Sequence, residues 1–100
     1  ELRMQRRTSY HPDAYLERRR NVIQGLQVRT KILEVMEENA RARTIQEVAS
    51  LTVLSYAVSR HHLRLLEAER IVKRTRKRPY KWRLTGKGQK RLNHVDDRGV

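Results

Sequence analysis

The sequence predicts a mainly α domain carrying a small β-hairpin, ordered helix, helix, helix, helix, strand, strand, helix. Three observations predict it. A short apolar segment with a helix-capping signature passes, across only a few residues, into a basic segment of helical period. Tyr80, Trp82 and Leu84 alternate with Lys81 and Arg83, the period of a strand with one apolar and one cationic face. At 100 residues the chain fits one domain, and with 37% hydrophobic residues and no Phe its core must come from Leu, Ile, Val and Ala, helped by Trp82 and Tyr.

Residues 1–11 are polar, basic and aperiodic, and read as a flexible arm. Pro12 followed by Asp13 marks a helix start, because Pro is tolerated in the first turn and a carboxylate there opposes the positive end of the helix dipole. The predicted N-terminal helix occupies 12–25 and runs from Asp13 to about Gln24, with Gly25 ending it or kinking a longer one. From Leu26 to Asn39, the residues Val28, Ile32, Val35 and Met36 form one helical stripe, Glu34, Glu37 and Glu38 face away, and Asn39 is the stop. Ala40 to Arg43 is an extended connector. Thr44 and Glu47 form a capping box that starts a short helix at Ile45; Val48 and Ala49 extend its apolar side, and it stops near Leu51 or Thr52.

Ser55 caps the next helix, which runs through about Glu69 with Val58, His62, Leu65 and Leu66 inward and Leu63 flanking. Ile71 to Thr75 and Tyr80 to Leu84 are strands joined by the basic tip Arg76, Lys77, Arg78, Pro79. Thr85 caps a last helix from Gly86 to about His94, and 96–100 fray. Two helices so closely spaced, the first short and the second basic, make a helix-turn-helix over 44–69. The hairpin over 71–84 is its wing, so residues 12–95 are expected to form a winged helix-turn-helix with an extra N-terminal helix.

Charge narrows the function. The net charge is +13, and the excess is concentrated: +11 over residues 54–95, +3 over 1–20, zero over 21–53 and −1 over 96–100. Such a surface repels itself and favours a polyanion. Arg outnumbers Lys 18 to 6, and guanidinium forks match phosphate oxygens and guanine edges bidentately. With no Cys there is no disulfide framework, thiolate nucleophile or cysteine zinc site. Apolar runs fall far short of the roughly 20 residues that span a bilayer, and no secretory h-region stands near the start, so no membrane partner and a cytoplasmic, nucleoid-associated location are expected.

On the basic helix, Ala57, Arg60, His61 and Arg64 recur at i, i+3, i+4, i+7 on the side away from the expected core, the face a major groove would meet. Tyr56 stands near the helix start, where it is expected to bond a phosphate or pack on a sugar. Arg60 and Arg64 are the candidates for base edges. Lys73, Arg74, Arg76, Lys77, Arg78 and Lys81 crowd the wing, and like charges this dense are unfavourable until a polyanion neutralises them. Trp82 shares a strand face with Leu84, which points to core packing rather than base stacking. His61 and His62 point about 100° apart and lack a third ligand at suitable spacing, so no metal is expected. Gly86-Lys87-Gly88 lacks the spacing of a phosphate-binding loop. No catalytic set stands out, and neither an enzyme, a cofactor nor a small-molecule ligand is expected. Tyr15, Leu16, Val22 and Ile23 are the candidates for a homodimer contact.

Residues 55–72 (SYAVSRHHLRLLEAERIV), the basic hairpin and Leu84-Thr85-Gly86-Lys87-Gly88 resemble the winged helix-turn-helix domains of MarR, ArsR and PadR-type regulators. The start Leu54-Ser55-Tyr56-Ala57 is similar to small archaeal winged-helix DNA-binding and chromatin-associated proteins. The resemblance covers roughly residues 28–94. It implies recognition-helix roles for Tyr56, Arg60, His61 and Arg64 and wing roles for Arg76, Lys77 and Arg78. Two positions depart from it: Ser59 replaces a frequent apolar residue, and Arg70 replaces the Gly that usually ends the helix.

The expectation is therefore a homodimer that binds double-stranded DNA, sequence-specifically or architecturally, as a transcriptional regulator or a partition or chromatin factor. Its half-sites would stand roughly 34 to 36 Å apart. A structural RNA-binding winged helix of ribosomal type and a protein-interaction winged helix remain open alternatives.

Overall fold

A computed structural model describes residues 10–38 and 41–86. A single turn of 3-10 helix, Pro12–Ala14, precedes three helices, α1 (Ile23–Glu38), α2 (Ile45–Thr52) and α3 (Tyr56–Ala68). Two strands follow, β1 (Val72–Arg74) and β2 (Trp82–Leu84), paired antiparallel in the register Val72↔Leu84, Lys73↔Arg83, Arg74↔Trp82. Residues 1–9, 39–40 and 87–100, and with them most of the expected arm, the Asn39 stop, most of the expected last helix and the expected frayed tail, lie outside the described residues.

The predicted helix over 12–25 does not form. Only Pro12–Ala14 is helical, and α1 instead starts at Ile23 and carries the Gly25 position within its first turn. The reason is that side chains capture the backbone groups such a helix would use. Asn21 Oδ1 accepts from Leu16 N at 2.8 Å while Asn21 Nδ2 donates to the Leu16 carbonyl at 3.0 Å, closing residues 16–21 into a loop. The Ala14 carbonyl accepts from Arg29 Nε at 2.6 Å, and Arg18 N donates to the Glu69 carboxylate at 3.1 Å. The arm likewise ends earlier than expected: His11 is buried, its backbone N donates to Thr30 Oγ1, its Nδ1 accepts from Asp13 N, and its Nε2 therefore carries the proton donated to Glu37.

Along α1 the buried positions are Gly25, Leu26, Arg29, Ile32, Leu33 and Met36, with Val28 packed partly against the core. The expected stripe is thus turned toward Leu33. The capping box at Thr44 is present in full, with Glu47 N donating to Thr44 Oγ1 at 3.1 Å and Thr44 N to Glu47 Oε1 at 2.9 Å. Ile45, Val48 and Ala49 bury the inner side of α2.

On α3 the inward stripe is Ser59, Leu63 and Leu66 rather than Val58, His62, Leu65 and Leu66. Val58 is 38% exposed, and Leu65 and His62 are half-buried. The spacing i, i+4, i+7 through Ser59 aims Leu63 and Leu66 at α1 and the hairpin, and a buried hydroxyl takes the place a purely apolar reading gives to Val58. These residues pack with Ile32, Leu33, Val48, Ile71, Val72 and Trp82 into one core. The connector reaches the hairpin: Arg43 N donates to the Trp82 carbonyl at 2.9 Å and Trp82 N to the Arg43 carbonyl at 2.7 Å, so β2 is bonded on both edges.

Candidate nucleic-acid interface

Helix α3 is set by local chemistry at both ends. Ser55 Oγ accepts from Val58 N at 3.1 Å, satisfying a donor that the first turn leaves open. At the other end Ile71 N reaches back to the Leu66 carbonyl and Arg70 N to the Glu67 carbonyl, with Arg70 left-handed at φ 66°. This bond pair is the Schellman closure, accompanied by the expected apolar contact of Ile71 with Leu66. It delivers the chain directly into β1. The turn before α3 is built alike: Val53 is left-handed at φ 59°, and Leu54 N donates to the Ala49 carbonyl.

The helix so placed exposes Tyr56, Ala57, Arg60, His61 and Arg64. Tyr56 borders a cleft of about 260 Å³ between the start of α2 and the wing, lined also by Thr44, Ile45, Gln46, Pro79 and Tyr80. On the hairpin Lys73, Arg74, Arg76, Lys77, Arg78 and Lys81 are all exposed. Lys73 sits directly opposite Arg83 across the ladder, and like charges in that position repel. Arg83 extends the cationic face of the wing, and the sequence alternation that placed Lys81 there carried the same signal for it.

Glu67 joins the two elements. Its Oε1 lies 3.7 Å from Arg64 Nε on α3 and its Oε2 lies 3.5 Å from Arg74 Nε on β1. Arg74 also lies over the Tyr80 ring at 4.7 Å and near the Trp82 ring at 5.9 Å, and Arg78 covers the Tyr80 ring from 5.6 Å. Arg74 is thereby held as a strut between helix and wing, whereas Arg76 and Lys77 at the tip have no ion pair among the described residues. Trp82, 2% exposed, belongs to the core.

The opposite flank of α3 is held by a buried arginine. Arg29 donates from Nε to the Ala14 carbonyl, from NH2 to Asn21 Oδ1 at 3.1 Å, and lies 3.3 Å by NH1 from His62 Nδ1. Since a guanidinium only donates, His62 accepts at Nδ1 and carries its proton on Nε2. Burial, then the nearby Arg29 charge and His61, lower the His62 pKa to about 4. Burial lowers the Arg29 pKa as well, against the opposing effect of Glu69. Gly25 makes room for this group, since a Cβ there would meet Arg29 NH1 at 2.8 Å.

Of the expected dimer contacts, Leu16 is only 5% exposed, buried within the domain and so not open to a partner. Tyr15, Val22 and Ile23 remain at the surface. Among the described residues no group of three or more His, Asp or Glu is placed to hold a metal ion, and no helix is long and apolar enough to cross a membrane.

No family model and no curated protein matches the sequence. Among solved structures the chain is similar to a MarR family transcriptional regulator from Silicibacter pomeroyi DSS, with a TM-score of 0.61 and 21% sequence identity. The match covers 70% of this chain and 47% of that one, so the chain spans about half the length of that regulator. The fold is a winged helix, with α2 and α3 as the helix-turn-helix and β1 and β2 as the wing.

Proposed function

We propose that the chain binds double-stranded DNA, with the exposed face of α3 in the major groove and the wing on the minor groove or the flanking phosphates. The observation that carries this reading is the continuity of the cationic surface: Glu67 holds Arg64 of the helix and Arg74 of the wing to one carboxylate, so both elements present their guanidinium groups together. Arg60 and Arg64 read base edges, Tyr56, Ala57 and His61 complete the helix contact, and Lys73, Arg76, Lys77, Arg78 and Lys81 neutralise the backbone. The likeness to a transcriptional regulator supports a role in transcription control. Self-association through Tyr15, Val22 and Ile23 belongs to the same reading, and a solution mass measures it.

The test is a gel-shift with duplex DNA at graded salt, with structured RNA as competitor. Arg60→Ala and Arg64→Ala are each expected to cost about 1–3 kcal/mol on a preferred site and to relax sequence preference. Unchanged affinity and preference in both variants, or displacement by RNA at equal concentration, overturns the assignment.

A further inference from the structure

We propose that the loop bearing Arg18, Arg19 and Arg20 is a second cationic arm, which grips the DNA backbone on the side of α3 opposite to the wing. This rests on the DNA-binding reading above and adds to it a contact surface in a segment that the sequence reading assigned to a helix and a dimer contact.

Two carboxylates stand near the end of α3. Glu67 and Glu69 are two residues apart, so on a helix they leave the axis about 200° apart, on nearly opposite flanks. Glu67 reaches Arg74 of the wing, while Glu69 Oε2 accepts from the backbone N of Arg18. His62, one heptad before Glu69, shares its flank and faces Arg29, which in turn holds Ala14 and Asn21 at the two ends of the loop. The loop and the wing are therefore fastened to opposite sides of the same helix. Between them lies the exposed strip Ala57, His61, Arg64 and Ala68.

The loop is also built to hold its cations outward. Its ends are closed by Asn21 on Leu16 and its apolar anchor Leu16 is buried, while Arg18, Arg19 and Arg20 are all exposed. The one bond of Arg18 to Glu69 uses the main chain, and no ion pair of these three side chains occurs among the described residues. With Glu17 the loop carries a net charge of +2. Guanidinium groups on adjacent residues of a closed loop repel each other until an anion lies across them, and a helix seated in a major groove has a phosphate strand on each side. The wing accounts for one strand and the loop for the other.

The experiment compares the wild type with Arg18→Ala/Arg19→Ala/Arg20→Ala, with the corresponding triple Lys variant, and with the wing variant Lys77→Ala/Arg78→Ala. Salt titration of duplex affinity and hydroxyl-radical footprinting are read for each. The triple Ala variant is expected to lower the log–log salt slope by about 2 to 3 and to weaken binding at low salt by about tenfold or more. It is also expected to lose backbone protection on the side that the wing variant leaves protected. The triple Lys variant keeps the wild-type slope. A triple Ala variant with wild-type slope or footprint, beside a wing variant that binds more weakly, overturns the loop's role and leaves the DNA reading standing. A wild type with no salt-dependent duplex binding overturns both.

Discussion

Ser59 is completely buried on the inner stripe of α3, and its hydroxyl has no hydrogen-bond partner among the described residues. A buried hydroxyl in that state costs about 1–3 kcal/mol. Ser59→Ala removes it with little change of volume and is expected to raise stability by about 1 kcal/mol, seen as a melting temperature higher by several degrees. His62 makes the converse case of a polar side chain that is satisfied only in one protonation state. Its folded pKa of about 4 lies below its unfolded value near 6.5, so the unfolded chain takes up the proton more readily. Stability from this group is complete above pH 6.5 and is lost as pH falls toward about 4. Denaturant midpoints measured across that window should fall with pH in the wild type and fall less steeply in His62→Gln; equal slopes would show that His62 is not the group whose protonation unfolds the domain.

Between elements, the carboxylate of Glu67 decides how α3 and the wing share charge. It positions Arg64 and Arg74 and, in the proposed complex, faces the same side as the phosphate strand under the wing. Glu67→Gln is expected to raise affinity for random duplex DNA severalfold, because two guanidinium groups lose their internal partner, and to lower the ratio of specific to random binding. Both quantities come from one set of salt-matched titrations, and a reduced random affinity would show that the bridge serves only to fold the protein. How much of this was legible in the chain follows from how far apart the interacting groups are. The caps at Thr44 and Ser55 read correctly because donor and acceptor lie three residues apart, and the hairpin read correctly because Trp82 and Leu84 alternate with charge. The N-terminal helix failed because Asn21, Arg29 and Glu69 take backbone groups of residues 14–18 from as far as 51 positions away. The stripe on α3 slipped by one because hydrophobicity ranks Val58 above Ser59, while packing put the smaller side chain inside. On α3 the periodicity placed Tyr56, Ala57, Arg60, His61 and Arg64 outward, and they are exposed, whereas the loop that exposes Arg18, Arg19 and Arg20 was hidden by the helix assigned to it.

Over the whole molecule the charge is segregated rather than diffuse, with +11 between residues 54 and 95 and none net between 21 and 53. The neutral part supplies α1 and α2, and the cationic part supplies α3 and the hairpin, which add Leu63, Leu66, Val72 and Trp82 to the core and carry their cations on the other side. The two joints of this assembly, before and after α3, both close on a left-handed residue that is not glycine, Val53 and Arg70. Each such residue costs roughly 1–2 kcal/mol, which is large against a domain stability of about 5–15 kcal/mol. Val53 is 88% exposed and Arg70 is exposed too, so neither side chain offsets that cost by packing. Every codon for valine and every codon for arginine lies a single base from a glycine codon. Error-prone copying of the gene, followed by heat challenge of the products, is therefore expected to return Val53→Gly and Arg70→Gly among the survivors, each about 1 kcal/mol more stable.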